Sequence, residues 1–321
     1  MDRILGIVPR DFPLIRDGDA AVETGNLLGM STIKLRQPVA ADADAVARLI
    51  FAAFSTFHDK HQMPRDFESL DAAIGLTRAW MNHPQVWGVL AERDGRVVGC
   101  NFLDERCDAK GVGPVCVDPT EQGGGIGRKV MLAVMERARA INAKSVRLVQ
   151  EAYNTKSMPL YASVGFDVKE PLAVMIGTPT GKPSAGTNIR QMTEADLPAC
   201  AALCRAMHGI DRTGELRDAI EHFNPFVLER GGRLVAYVST PNFFLMNHGV
   251  AETPPDMKDL LLGVAAQTGR PIGLQVPTRN AEFFRWCISQ KLRMSKPTTL
   301  MTSGEYHEPA AETWWFPSIL Y

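Results

Sequence analysis

The sequence lacks the features that assign a chain to a membrane or a nucleic-acid-binding class. It has no apolar run approaching the roughly 18–20 residues of a membrane span. The apolar stretch near the N terminus is interrupted by Pro9, Arg10 and Asp11, unlike a signal peptide. The net charge is only −1, and Lys and Arg form no long cluster. We therefore expect neither a membrane nor a nucleic-acid partner.

Cysteine is also scarce, and none of the six residues forms a C-x-x-C pair. This absence argues against a zinc ribbon, and we predict no metal site. Cys200 and Cys204 lie four residues apart on a predicted helix, a spacing typical of buried small apolar residues. A chain of 321 residues needs no disulfides, so a cytoplasmic location is expected.

The length favours two domains, because single domains usually hold about 100–200 residues. Residues 1–30 are interpreted as an N-terminal extension, and Met30 is an alternative start. Residues 31–180 form the first predicted domain, and a segment rich in Gly, Pro, Ser and Thr follows it over residues 177–187. The second domain, residues 187–321, begins with the same strand–helix order and is interpreted as a diverged repeat.

Periodicity predicts alternating helices and strands in the first domain. Asp94-Gly95 and Gly231-Gly232 each indicate a hairpin turn, and residues 55–68 are expected to be irregular. The predicted helices cover residues 41–54, 69–81, 127–140 and 157–164, and the predicted strands cover residues 33–36, 86–91, 97–103, 113–117 and 145–149.

The strongest local motif is the glycine run between a predicted strand and a predicted helix, over residues 122–128. Glycines allow successive backbone N–H groups to converge, and the helix N terminus adds its dipole, a combination suited to pyrophosphate. A Walker A loop is excluded because Arg128 and Lys129 follow Gly127, and Val130 breaks a dinucleotide fingerprint. A plain glycine loop remains the alternative.

A second motif lies one helix and one strand downstream. We call residues 122–128 the cradle; its motif consists of Gln122, Gly125 and Gly127. The second motif consists of Asn154, Leu160-Tyr161 and Gly165-Phe166. Together these motifs resemble the GNAT (GCN5-related N-acetyltransferase) superfamily over about residues 33–175, and the chain resembles bacterial tandem-GNAT proteins. The resemblance implies two mixed α/β domains, each with a twisted, mostly antiparallel sheet flanked by helices.

The resemblance also implies acetyl-CoA (coenzyme A) as the acetyl donor. Pro114 cannot donate a ladder hydrogen bond, which suits an opening in the sheet where the pantetheine arm would bind. Arg128 is placed to meet a further phosphate. The residues implied to bind the cofactor are Val115, Cys116, Val117, Gln122, Gly123, Gly124, Gly125, Ile126, Gly127, Arg128 and Asn154.

Two side chains are candidates for catalysis. Tyr161 occupies the position of the family's general acid, and its alternative role is a core aromatic. Glu105, after the predicted strand 97–103, is the candidate base, with Asp104 as runner-up and a solvated charged turn as the alternative. In the predicted loop, His58 and His61 are interpreted as solvated or loop-anchoring histidines, and Arg65 is expected to meet an acceptor carboxylate.

The second half keeps the order of elements but not the chemistry. Cys287 falls where the first half has Tyr161, and the segment around His248 and Asp256 has no glycine cluster. We therefore interpret it as a degenerate GNAT-like domain, whose apolar C-terminal residues pack on the other half or on a domain surface.

The function expected from these features is acetyl transfer from acetyl-CoA to a primary amine, by direct attack in a ternary complex. A small-molecule amine is preferred to a protein acceptor, and the oligomeric state is a monomeric pseudo-dimer or a homodimer. The alternative is a non-catalytic acyl-CoA-binding sensor or interaction module.

Overall fold

Alternating helices and strands run through the chain from Lys34 onward in the computed structural model, which describes residues 32–67, 69–310 and 313–320. The extension predicted over residues 1–30 lies outside these residues. The helices are α1 (Ala43–His61), α2 (Leu70–Asn82), α3 (Ile126–Ala140), α4 (Ser157–Ser163), α5 (Leu197–His208), α6 (Thr213–His222), α7 (Pro254–Thr268) and α8 (Ala281–Ser289). None of these helices is long and apolar enough to cross a membrane.

The strands form two sheets. They are β1 (Lys34–Arg36), β2 (Val86–Arg93), β3 (Arg96–Asp104), β4 (Ala109–Val112), β5 (Cys116–Val117), β6 (Ser145–Glu151), β7 (Asp167–Gly177), β8 (Thr187–Gln191), β9 (Phe226–Arg230), β10 (Arg233–Val238), β11 (Gly249–Ala251), β12 (Ile272–Pro277), β13 (Arg293–Gly304) and β14 (Trp314–Phe316). The mixed α/β class predicted from the sequence is confirmed.

The larger sheet takes strands from both halves of the chain. Its order is β1-β2-β3-β4-β6-β13-β7-β12, with β5 paired to β3, so the second-half strand β13 lies between two first-half strands. The smaller sheet has the order β14-β11-β10-β9-β8. Among the described strands, every pairing is antiparallel except that of β4 with β6. Periodicity predicted the strands but not this sharing, because alternation shows which face of a strand is buried and not which strand lies beside it.

The predicted hairpin turns are present. Asp94 and Gly95 have φ values of 51° and 77°, and Gly231 and Gly232 have 60° and 75°. Two consecutive positive φ values match the type I′ turn, whose twist suits the flanking strands.

Helix α1 is longer than the sequence predicted. Residues 55–61 were expected to be irregular, but the helix continues to His61 and ends at Gln62, whose φ is 54°. His58 lies on the inner face of its last turns, fully buried, and its ring stacks on Phe54 at 5.9 Å between centroids. A histidine in a core position hid the helical pattern, so the expectation of a solvated His58 was wrong.

Helix α3 packs closely on the larger sheet. Its buried face includes Ile126, Val130, Met131 and Val134. A Cβ on Gly99 of β3 would lie 2.7 Å from Ile126 Cγ2, so a larger residue at this point would push the helix away. The absence of a side chain at Gly99 thus allows the start of α3 to pack closely on β3, the strand that pairs with β5.

Candidate active site

The glycine run forms the turn into α3. Gly123 and Gly125 have φ values of 90° and 78°, in the region that favours glycine, and Gly125 is the N-cap of the helix. A Cβ on either glycine would meet nothing within 4 Å. The first N–H groups of an α-helix have no intrahelical acceptor. The turn therefore presents a helix N terminus to open space, which fits a pyrophosphate.

Side chains around this turn supply polar and positive groups. Arg128 is exposed and donates to Ser163 Oγ at 2.7 Å. Lys156 Nζ donates to Gln122 Oε1 at 3.3 Å, so a second cation lies beside the glycine run. The sequence assigned Gln122 and Arg128 to phosphate binding and did not identify Lys156.

The sheet is open beside the cradle. The third strand was predicted over residues 113–117, but only Cys116–Val117 of that range forms a strand, β5. The preceding strand, β4, ends at Val112, and residues 113–115 lie between the two. β4 pairs with both β3 and β6, whereas β5 pairs with β3 alone in the described chain. The break at Pro114 thus separates a strand that is paired on both sides from one that is paired on one side in the described chain, as an opening for an added strand-like ligand requires.

A cavity of about 170 Å³ begins at this opening and is lined by both halves. The first half contributes residues 113–115 of the opening, residues 148–151 of β6, and Tyr161. The second half contributes residues 244–246, 319 and 320 with β12 and β13 side chains. An engineered apolar cavity of similar volume holds benzene, so a small-molecule ligand fits in size.

The C-terminal segment closes one side of the cavity. Val149 N of β6 donates to Ile319 O at 3.2 Å, and Ile319 N donates to Leu245 O at 2.8 Å. A Cβ on Gly111 would lie 2.7 Å from Leu320 O. The second half therefore forms part of the cavity wall through backbone contacts.

Tyr161 and Asn154 both line this cavity. Tyr161 is 7% exposed and packs in the first-half core, and burial, with a smaller effect of Cys116, raises the pKa of its phenol well above the usual range. A phenol held protonated can donate a proton. Asn154 Oδ1 accepts from the N–H groups of Lys156 and Ser157, each at 3.1 Å, so it orders the turn before α4.

Glu105 lies outside the residues that line the cavity. Its two carboxylate oxygens accept from Arg137 Nε and Nη2 at 2.7 and 2.9 Å. Asp104 is 2% exposed and accepts from Arg106 at 2.7 and 2.8 Å. Both carboxylates are engaged by arginines, and the role of Glu105 as a base stays a prediction.

A buried charged cluster forms the polar end of the cavity: Asp66, Glu151 and Lys296, with His58 behind them. Lys296 Nζ donates to Glu151 Oε1 at 2.6 Å and also to Asp66. His58 Nε2 lies 3.2 Å from Glu151 Oε1 and 3.6 Å from Asp66 Oδ2. His58, Asp66 and Glu151 could hold a metal ion by position alone, but the Lys296 ammonium already bonds to both carboxylates.

Burial and charge act in opposite directions on the two carboxyl groups. Burial raises the pKa of Asp66 by more than the Lys296 charge lowers it, so that pKa is raised. Burial also raises the pKa of Glu151, but the His58 hydrogen bond and the Lys296 charge together outweigh it, so that pKa is lowered. The cluster therefore holds Glu151 ionised.

Sequence reasoning missed this cluster. Its members come from α1, the segment after it, the end of β6 and the second-half strand β13, and residues 58 and 296 are 238 positions apart. No local spacing connects such residues. The expected acceptor contact, Arg65, instead pairs with Asp59 on the surface.

Comparisons with known proteins agree with this architecture. Residues 44–166 match the acetyltransferase (GNAT) family. The IAA acetyltransferase of Azospirillum brasilense is 31% identical over 118 residues, which are 32% of this chain and 76% of that protein. The mycothiol acetyltransferase of Thermobispora bispora is 38% identical over 84 residues, so the match spans 24% of this chain and only 28% of that relative.

Solved structures resemble both halves together in fold. A candidate acetyltransferase from Pyrococcus horikoshii superposes with a TM-score of 0.71 at 15% identity, over 94% of this chain and 99% of that one. A tandem GNAT protein from the clavulanic acid biosynthesis pathway gives a TM-score of 0.53 at 13% identity, over 87% of this chain and 100% of that one. With the family match over residues 44–166 and a relative covered over 76% of its length, this chain belongs to the GNAT family of acetyltransferases.

Proposed function

We propose that this protein transfers an acetyl group from acetyl-CoA to a primary amine of a small molecule bound in the cavity. The observation that carries the proposal is that the glycine turn lies beside both β5 and the helix of Tyr161, because a Cβ on Gly127 would come within 3.4 Å of Leu160 and 3.7 Å of Val117. Tyr161 in turn lines the cavity that begins at residues 113–115. Residues 31–180 would form the transferase domain. Residues 187–321 would be a degenerate GNAT-like domain that completes the acceptor cavity, so that one chain acts as a pseudo-dimer.

The cradle would hold the pyrophosphate of coenzyme A. The residues proposed for this part of the ligand run from Gln122 to Arg128, where the start of α3 and the glycine turn offer N–H donors. The backbone of Val115, Cys116 and Val117 would bond the pantetheine arm as an added strand does. Asn154, at the turn before α4, would contact the same arm.

The reaction needs a base and an acid. The ammonium of the acceptor first loses one proton, and its nitrogen then attacks the thioester carbonyl, forming a C–N bond. As the C–S bond breaks, Tyr161 gives its phenolic proton to the leaving sulfur, and the second proton from nitrogen restores the phenol. The products are an N-acetyl amine, free coenzyme A and the proton taken by the base.

Two carboxylates compete for the role of the base. Glu105 was predicted from the sequence, and its oxygens are both bonded to Arg137. Glu151 lines the cavity that also contains Tyr161. A base must come within hydrogen-bond reach of the proton that it removes, so this position supports Glu151. Comparing Glu105→Gln with Glu151→Gln separates the two: the variant of the true base loses turnover while keeping its affinity for acetyl-CoA.

The proposal is tested by titrating acetyl-CoA into the protein by calorimetry and then incubating the complex with a library of primary amines. We expect one binding site per chain and release of free thiol with an amine in the library. Two sites per chain would contradict the interpretation of the second half. Absence of binding at millimolar acetyl-CoA would exclude the acyltransferase function.

An acyl-CoA-binding sensor is the alternative function. It would bind acetyl-CoA through the same cradle but would need no acid at Tyr161. Slow hydrolysis of acetyl-CoA by the protein alone, abolished in Tyr161→Phe, favours the enzyme; identical behaviour of the two proteins favours the sensor.

A further inference from the structure

The polar end of the cavity carries an unequal number of charges. Among the described residues that line it, the ionisable ones are Asp66, Glu151, Lys296 and the phenol of Tyr161. Two carboxylates face one ammonium, and the His58 ring behind them lies 3.2 Å from Glu151 and 3.6 Å from Asp66. With both acids ionised and His58 neutral, one negative charge remains. A buried charge without a counter-ion is costly, so this end of the cavity favours a cation from a ligand.

Lys296 already donates to both carboxylates. Its ammonium has three hydrogens. Its neighbours within hydrogen-bond distance are Glu151 Oε1 at 2.6 Å, His58 Nε2 at 3.3 Å and Asp66. The Lys296 side chain is only 2% exposed. A ligand carboxylate would therefore meet two acidic groups and a cation that is already bonded to both of them.

A second, independent feature indicates that the cavity receives a ligand. Gln150 lines the cavity and is 6% exposed. Its Oε1 accepts from Ser157 Oγ at 2.7 Å, whereas its buried Nε2 has no partner among the described residues. A buried donor without a partner is uncommon in folded proteins. A ligand oxygen would satisfy it.

The remaining walls are apolar and aromatic. The first half contributes Phe54, Phe67 and Trp80, and the second half contributes Phe244 and Met246. Aromatic side chains favour flat apolar groups through stacked or edge-on contacts. The cavity thus combines an apolar chamber, an end with surplus negative charge and one donor without a partner among the described residues.

We propose, resting on the acetyl transfer proposed above, that the acceptor is a monocationic primary amine with an apolar, ring-sized body and no carboxylate. Its ammonium group is received by Glu151 and Asp66. Lys296, from the second half, is a positioning residue that keeps the two carboxylates together at this end. The second half thereby selects the acceptor without binding the donor.

The test uses three probes of similar size: 2-phenylethylamine, L-phenylalanine and 2-phenylethanol. Each is titrated into the protein saturated with acetyl-CoA, and free thiol is measured in parallel. A carboxylate beside buried like charges costs several kcal/mol, so 2-phenylethylamine should bind about 100-fold more tightly than L-phenylalanine. The neutral alcohol should bind about 10-fold or more weakly than the amine, because it cannot neutralise the surplus charge.

Two variants test the source of this preference. Glu151→Gln and Asp66→Asn each remove one negative charge, and each should reduce the preference for the amine over the alcohol about 10-fold. Asp66→Asn keeps the Lys296–Glu151 pair, so it serves if Glu151→Gln does not fold. Asp59→Asn is the matched control, because Asp59 lies on the same helix as His58 but is 53% exposed and pairs with Arg65. This variant should keep the wild-type preference for the amine over the alcohol.

The outcomes separate this proposal from the proposed function. If acetyl-CoA binds but L-phenylalanine binds as well as 2-phenylethylamine, the acceptor class is wrong and the transferase proposal stands. Binding of none of the probes to the acetyl-CoA complex, or an undiminished preference in both variants, also overturns the acceptor class. Failure of the wild-type protein to bind acetyl-CoA instead removes the function on which this proposal rests.

Discussion

Lys296 of β13 donates a hydrogen bond of 2.6 Å to Glu151 at the end of β6, joining the two halves of the chain inside the cavity. The contact follows from the shared sheet, because β13 pairs with β6 in a register that sets Thr298 opposite Glu151. Strand sharing thus brings a second-half cation to a first-half acid.

Replacing Lys296 with methionine should destabilise the fold. The variant leaves Asp66 and Glu151 buried without their cation, and breaking a buried ion pair typically costs about 3–5 kcal/mol. Chemical denaturation at pH 7 measures the loss.

The pH dependence of this variant has a defined sign. Without Lys296 both acids have raised pKa values in the folded state, so the folded protein binds more protons than the unfolded chain. The stability deficit should therefore shrink as the pH falls from 7 toward 5. A deficit independent of pH would indicate lost packing alone.

Changing Gly125 to valine should abolish tight binding of acetyl-CoA. Its φ of 78° is disfavoured for a β-branched residue, so the turn must rearrange and its N–H groups no longer converge. We expect at least about a 10-fold loss of affinity by calorimetry, equal to about 1.4 kcal/mol or more.

Gly186→Val is the matched control for this variant. Gly186 has a φ of 81°, a Cβ there meets nothing within 4 Å, and it lies in the linker rather than the cradle. Similar backbone strain should lower its stability while leaving its affinity for acetyl-CoA unchanged. Equal losses of affinity in both variants would mean that strain, not the cradle, controls binding.

Tyr161→Phe should reduce turnover and leave acetyl-CoA binding intact. General acid catalysis typically contributes about 10²–10⁴-fold, and phenylalanine keeps the ring that packs in the core. The measurement is kcat for a library amine together with the calorimetric affinity. Unchanged kcat would assign Tyr161 to the core, the alternative that its sequence context also allowed.

Local patterns in the sequence predicted much of the fold. The Asp94-Gly95 and Gly231-Gly232 turns adopt the expected positive φ values, and the glycine run leads directly into α3. These features depend on the conformational freedom of neighbouring residues, which a single stretch of sequence reveals. The end of α1 was misjudged because His58 is a polar residue type at a fully buried position.

The acceptor end of the cavity depends on contacts that no local pattern encodes. The position of Glu105 after the end of a strand predicts a base, but no local pattern reveals that Arg137 binds both oxygens of Glu105. Glu151 also ends a strand, but its partner Lys296 is 145 positions away. Strand pairing between the halves, and not spacing, brings these charges together.

The contact between α6 and the first half should tolerate no added methyl group. A Cβ on Gly214 would lie 2.3 Å from the backbone oxygen of Arg106, so the two segments must separate. Overpacking of this kind typically costs about 1–3 kcal/mol, and we expect Gly214→Ala to lower the melting temperature.

Gly75→Ala is the control for this substitution, since Gly75 also lies in a helix but has nothing within 4 Å of an added Cβ. Alanine should stabilise that helix by about 0.5–1 kcal/mol. If the melting temperature falls in Gly214→Ala and rises in Gly75→Ala, the loss of stability arises at the contact with Arg106. A similar loss in both would attribute it to the helices themselves.

The buried histidine His248 should make the protein lose stability in mild acid. Burial, followed by the nearby charge of Arg212, lowers the pKa of His248 to about 4. Below the ordinary value of 6.5 the unfolded chain takes up a proton that the folded protein does not, so stability is complete above pH 6.5 and falls between pH 6.5 and about 4. The other groups around it, Glu215 and Arg106, keep their charges through this range.

His248→Gln tests this origin of the acid sensitivity. One extra proton bound by the unfolded chain gives the free energy of unfolding a slope of about 1.4 kcal/mol per pH unit. The His248→Gln variant should lose this contribution to the slope. His208, also buried with its pKa lowered mainly by burial, should keep a slope of its own. His222→Gln changes an exposed histidine and should leave the slope unaltered. An unchanged slope in His248→Gln would place the acid sensitivity elsewhere, with His208 the first residue to replace.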